Sequence, residues 1–279
     1  MNNMSLSIVN NGLSALNSPP LVASLGVVAA TLGQDTLERL PFFVNNYKIV
    51  NVLAYVLNFV AVSLPGRFDG EVARELQERK KSGKGAEGVS KEAKMLTPVE
   101  GRTLVAPSGW AFAIWGPIFL GELVFVISQF FSGKDSPVSH VIKNVSAPFV
   151  VAQVFQALWS ASFRPKYKGN LMFISAGMLG GIATFMGKAQ AIFSAARGSY
   201  SVLQYLLYFF PMALHFGWTT AATLVNINGA VAMNEKVPNK AVTWVGHLSV
   251  IAATALGVFV TWSRSAPVYG KNISLYITD

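Results

Sequence analysis

"APSGWAFAIWGPIFLGE", residues 106–122, opens an apolar run with a proline and two tryptophans and then breaks it with a glutamate. The whole run, 107–132, is long enough to cross a hydrocarbon core of about 30 Å, which takes about 20 residues of helix. Five further runs of this kind follow or precede it, at 48–64, 145–163, 170–187, 200–233 and 241–263. They are continuous rather than alternating, which excludes a closed barrel of strands. Composition agrees: 52% of the 279 residues are hydrophobic and 13% are charged, against about 25% charged in soluble domains. The expected fold is all-α, a polytopic helical membrane bundle.

The charge distribution organises the chain. Of the 22 basic residues, 9 fall within 67–102 among 7 acidic ones. The net charge of +9 therefore sits in a mixed stretch rather than a basic groove, and no nucleic-acid partner is expected. Residues 1–47 read as an N-terminal arm. Its apolar part, "PPLVASLGVVAATLG" (19–33), is too short to span and suits an interfacial or partner-contacting role. The first basic residue is Arg39, so neither a secretory signal nor an Arg-rich transit peptide is read there. Residues 48–263 form a six-helix transmembrane domain with a charged inserted loop, 67–106, and 264–279 form a short tail. Within the insert, "EVARELQERKKSGKGAEGVSKEAK" (71–94) reads as a solvated connector or one short charged helix. Connections after the first, third and fifth spans hold 14 of the basic residues. That bias places them on the cytoplasmic or equivalent side and both termini on the other. The chain has no cysteine, which excludes disulfides and thiolate chemistry.

Several groups are out of place in lipid. Glu122 is the one carboxylate inside a predicted span, and a charged acid at a helix centre costs about 2.5–3.5 kcal/mol. Counted from Pro107 it lies about 23 Å along its helix, off-centre. It is therefore protonated, paired, turned to a polar cavity, or reaching for the far interface. His215 and His247 lie in the last two spans. Each reads either as a buried neutral imidazole or as an axial ligand to a tetrapyrrole metal, which needs one free ring nitrogen. Neither an HExxH motif nor a paired His/Asp cluster is present, so no catalytic metal site is expected. Trp110 suits an interfacial belt. Trp115, Trp159 and Trp218 sit deeper, beside small and polar residues in "ALWSASF" and "GWTTAATLVN", and suit either helix packing or the wall of a small-molecule pocket. Gly177 and Gly181, four residues apart, suit close helix packing.

Three of these motifs, in order, resemble the tryptophan-rich sensory protein family, related to the translocator protein once called the peripheral benzodiazepine receptor. "PSGWAFAIWGPIFLGE" resembles the corresponding stretch of the family's longer bacterial members. "QALWSASF" (156–163) resembles the family's third helix, with Gln156 where asparagine is usual. "GWTTAATLVN" resembles its fifth, with Trp218, Ala222, Thr223 and Asn226 at matching spacings. The likeness runs over about 48–270, and "SAPVYG" (265–270) resembles a loop that leads to one more helix in the longer members. The paired prolines and Trp-Tyr motif of the short members' first loop are replaced by the charged insert.

The resemblance implies a five-helix translocator-protein-like core, here with one additional C-terminal transmembrane helix. It also implies a cavity for porphyrins, sterols or other lipophilic molecules, often in a homodimer. Its pocket residues would be Phe112, Trp115, Gln156, Trp159, Trp218, Ala222 and Asn226. The expected function is a non-catalytic membrane-embedded binding protein for a tetrapyrrole or lipid, with a porphyrin, haem or chlorophyll as the candidate cofactors and the lipid bilayer as its surroundings. The alternative is a structural subunit of a larger photosynthetic or respiratory membrane complex, with His215 or His247 holding pigment. A plastid or mitochondrial membrane suits either.

Overall fold

The computed structural model describes residues 17–64, 82, 103–105, 109–167, 169–234 and 236–264. Residues 1–16 of the arm, almost all of the charged insert, Pro107, the Trp110 side chain and the tail from 265 onward lie outside the described residues. Among those described, seven helices and no strand are found. Helix α1 (Pro19–Arg39) contains a π turn at Ala29–Gly33. Helix α2 is Pro41–Ser63. Helix α3 (Trp115–Ser128) is entered through a 3-10 segment, Gly109–Ile114, and left through another, Gln129–Phe131. Helices α4 (Pro137–Ser162) and α5 (Met172–Ala195) follow. A capped turn and a π turn at Tyr205–Phe209 lead into α6 (Phe210–Met233). Helix α7 is Asn239–Ser263.

Proline sets most of these starts. Pro19, Pro41, Pro137 and Pro211 each occupy the first turn of their helix, where the missing N–H is one the helix leaves unpaired anyway. The 200–233 run is divided at Pro211, just after the π turn. The 48–64 run is preceded by a kink at Asn46, whose backbone leaves helical values and whose Nδ2 donates to the Phe42 carbonyl. The first turn of α2, Pro41–Asn46, is thus set off from the span that hydropathy identifies.

Contacts fix the helix directions. Along α2, Tyr47 meets Ser139, Asn51 meets Ser146 and Asn58 meets Gln153, so α2 runs parallel to α4. Along α1, Tyr167 Oη donates to Asn17 Oδ1, Gly26 lies against Phe155 and Gly33 against Val151, so α1 runs antiparallel to α4. Helices α1 and α2 therefore form a hairpin that turns at Leu40. This changes the expectation for the arm. The helix continues past Gly33 through Gln34–Arg39, giving 21 residues that are long and apolar enough to cross a membrane. Asn17 then stands at the end of the bundle where α2 and α4 both finish. The polar residues Gln34–Arg39, which end the apolar run in sequence, form the helix's last turns, where a crossing segment meets the interface.

Six helices meet the length and composition of a membrane span: α1 through α5, counting the flanking turns of α3 and α5, and α7. Helix α6 does not, because it carries His215, three threonines and two asparagines. It is enclosed instead: Pro211–Ala221 is buried without interruption, packed on α5, α3 and α7. Helix α4 is the other central element, packed on α5, α2 and α1. Large apolar side chains of α2, α3 and α7, such as Leu53, Leu57, Leu120, Ile127, Ile251 and Phe259, face outward where lipid would lie.

Gly177 and Gly181, four residues apart on α5, differ. A Cβ at Gly181 would fall inside the Phe155 ring of α4, whereas a Cβ at Gly177 would meet nothing within 4 Å. Of this pair, Gly181 alone serves close packing.

Candidate functional site

The centre of the bundle holds a chain of polar side chains drawn from four helices. On α2, Asn51, Tyr55 and Asn58 recur at i, i+4 and i+7 and share one buried face. Asn58 Nδ2 donates to Gln153 Oε1 of α4. Gln153 Nε2 donates at 3.0 Å to Glu122 Oε2 of α3. Glu122 Oε1 lies 2.7 Å from His215 Nδ1 of α6. His215 Nε2 lies 3.3 Å from Gln156 Oε1, back on α4. Glu122 and His215 are both 0% exposed. A second set, one or two turns away, joins Asn51 to Gln129 of α3 and Ser146 of α4.

The glutamate that interrupts the apolar run is therefore satisfied. It lies near the middle of its span, eleven residues after Ala111 and nine before Phe131, and it is paired rather than reaching for the far interface. The residue before it makes this possible. A Cβ on Gly121 would come within 2.7 Å of Pro211 Cγ, so the glycine lets α3 approach α6 closely. One turn beyond Pro211, His215 then meets Glu122. A carboxylate accepting from one imidazole N–H and one amide N–H has a partner for each oxygen, which is what burial of such a group requires.

Above this chain, toward the end of the bundle where α2 and α4 finish, lies a layer of aromatic rings. Trp115 of α3 and Trp159 of α4 stack with centroids 5.7 Å apart. Phe119 and Phe163 extend the stack at each end, at 5.7 and 5.3 Å. Trp218 and His215 of α6 meet Trp115 edge-on, at 5.9 and 5.7 Å. Phe112 meets Trp218 edge-on at 5.9 Å. Such edge-on and offset pairs are the favoured geometries of aromatic rings. Gln156 Nε2 and Ser160 Oγ, one turn apart on α4, are buried beside this layer without a hydrogen-bond partner among the described residues.

Phe112, Trp115, Gln156, Trp159, Trp218 and His215 are thus brought together. Ala222 and Asn226 lie one and two turns further along α6, and Asn226 Oδ1 accepts from Ser175 Oγ of α5 at 3.0 Å. His247 is exposed on α7 against the Trp244 ring and does not join the cluster. Both nitrogens of His215 are engaged, so neither is free in the way an axial ligand requires.

A family model described as TSPO-like protein matches residues 93–273. The chain belongs to the TSPO-like family. No curated protein and no solved structure matches it. The matched region takes in α3 to α7, five helices, and leaves the α1–α2 hairpin outside. In this TSPO-like chain the tryptophan layer, Glu122, His215 and both glutamines of α4 lie inside the match. Asn58, which anchors the far end of the polar chain, lies outside it.

Sequence reasoning missed Glu122 with His215 as a pair, and also Asn58, Gln153, Phe119 and Phe163. A signal for some of them is present. "NVLAYVLN" (51–58) sets three polar groups on one helical face, and "QVFQ" (153–156) sets two amides one turn apart.

Proposed function

We propose that this protein is a membrane-embedded binding protein for a lipophilic ligand of the tetrapyrrole or lipid and sterol class, acting by binding rather than catalysis. One observation carries the reading. Tryptophans from three different helices converge beside two buried polar groups of α4, Gln156 Nε2 and Ser160 Oγ, that have no hydrogen-bond partner among the described residues. A flat or fused-ring ligand would take the place of ring-on-ring packing at Trp115, Trp159 and Trp218. An oxygen on its edge would accept from Gln156 and Ser160. Apolar walls with a few placed donors are the usual make-up of such a site. The engaged nitrogens of His215 favour a ligand held by its edge and faces over one held through a metal at that histidine.

The test is a titration of the purified protein with protoporphyrin IX, haemin and cholesterol in turn, read by quenching of tryptophan emission or by displacement. Trp115→Ala and Trp218→Ala are expected to weaken binding of the preferred ligand about tenfold or more, given losses of about 1.4 kcal/mol or more at such anchors. Unchanged affinity in both variants overturns the proposal.

A second reading, a subunit of a larger membrane complex, is favoured by the α1–α2 hairpin, which is additional to the matched region. Gentle extraction followed by size analysis separates the two. Elution with a large pigmented or respiratory assembly supports the subunit reading, and a small homogeneous oligomer opposes it.

A further inference from the structure

A cavity of about 480 Å³ lies between the α1–α2 hairpin and the near ends of α4 and α5, away from the tryptophan layer. Glu38 comes to it from α1, Phe43 and Tyr47 from α2, Lys143 and Asn144 from α4, and Ile192 from α5. It therefore exists only because the hairpin, outside the family match, packs on the family's helices.

Its walls carry opposite charges that are not spent on each other. Glu38 is held by Gln34, whose Nε2 donates to Glu38 Oε1 at 2.7 Å while its own Oε1 accepts from Lys188 Nζ at 3.1 Å. Glu38 Oε2 and the exposed Lys143 ammonium have no hydrogen bond or ion pair among the described residues. A third polar group comes from the backbone. Pro148 lies inside α4, four residues after Asn144, and has no N–H to give to the Asn144 carbonyl. That carbonyl oxygen therefore lacks the bond that an uninterrupted helix would give it. Phe43, Val44, Ala147 and Ile192 supply the apolar part. The position is interfacial, since Glu38 closes the first span and Phe43 opens the second.

We propose that this cavity seats the headgroup of a zwitterionic phospholipid bearing a primary amine, the phosphoethanolamine class. The ammonium would lie between Glu38 Oε2 and the Asn144 carbonyl, and the phosphate against Lys143. The apolar residues would take the first carbons of the acyl chains. Two acceptors that want N–H donors distinguish this headgroup from a trimethylated one, which has none to give. The carboxylate distinguishes it from an anionic headgroup, and the apolar wall at bilayer depth favours a lipid over a soluble phosphoamine. The site is separate from the tryptophan layer, so its fate and that of the binding function above are independent.

The experiment uses the full chain in nanodiscs of equal phosphatidylethanolamine and phosphatidylcholine with matched acyl chains, followed by mild detergent extraction and a count of retained lipids by native mass spectrometry. The expected result is retention of phosphatidylethanolamine over phosphatidylcholine by about fivefold, the effect of one interfacial charged contact. Glu38→Gln should bring that ratio close to one with the total little changed. Lys143→Met should lower retention of both lipids. Both side chains are exposed, and unchanged tryptophan emission verifies that each variant folds. Equal retention by the unaltered protein overturns the proposal, as does a preference that survives Glu38→Gln. A parallel disc with phosphatidylglycerol in place of phosphatidylcholine tests the carboxylate again, and stronger retention of the anionic lipid overturns the proposal too.

Discussion

Replacing Glu122 by leucine removes both oxygens that satisfy His215 Nδ1 and Gln153 Nε2, leaving two buried donors against hydrocarbon. In water-soluble proteins an orphaned buried donor costs about 1–3 kcal/mol. In a bilayer the unfolded helices find other partners, and interhelical bonds average about 0.6 kcal/mol and reach about 1.7. Two strong contacts at full burial therefore predict a loss of about 2–3 kcal/mol for Glu122→Leu. Glu122→Gln should behave differently. Its amide oxygen can accept from Gln153 Nε2 while its NH₂ donates to His215 Nδ1 in the other tautomer. His215 Nε2–H then donates to Gln156 Oε1, which already faces it. Every group is satisfied, and the expected loss is under about 1 kcal/mol. Reversible unfolding by SDS in lipid bicelles, followed by tryptophan fluorescence, measures both, because Trp115 and Trp159 are central to the same cluster. The cycle completed by His215→Leu and the double variant should show coupling of about 1 kcal/mol or more. Equal costs for the leucine and glutamine variants, or strictly additive single changes, would refute the argument that hydrogen-bond satisfaction governs this site.

Gly121→Val should drive α3 away from Pro211, with a loss of about 1–3 kcal/mol as for other overpacked interfaces, and a double cycle with Glu122→Leu should show that the two effects overlap. On α5, Gly181→Ala should carry a similar cost by meeting Phe155. Gly177→Ala should change stability by less than about 0.5 kcal/mol or raise it, measured in the same unfolding assay. Asn58→Leu should cost about 1 kcal/mol by stripping Gln153 Oε1 of its donor. At the end of the bundle where α4 finishes, burial pushes the Tyr167 phenol up from 10.0 to about 12, with Arg164 opposing. Below pH 10 folded and unfolded states both hold the proton. Between about 10 and 12 only the folded state does, so stability should fall across that window, and Tyr167→Phe should flatten the fall in a pH series.

Hydropathy along the chain was enough to settle that this is a helical membrane protein, because crossing a bilayer demands a run of fixed length whatever the helices do next. Trp115, Trp159 and Trp218 could be grouped from their small and polar neighbours, and Gln156 joined them through the family resemblance. Three decisions belonged to the tertiary structure. Helix α1 reached spanning length only by including Gln34–Arg39, polar residues that end an apolar count yet fit a helix end at the interface. Gly181 and Gly177, alike in spacing, were separated by which one faces Phe155. Glu122 and His215, 93 residues apart, met because Gly121 lets α3 approach α6 at Pro211. Apolar length is a property of one segment and can be read along it. Pairing between buried polar groups depends on the rotation and separation of helices distant in sequence, which only their packing decides.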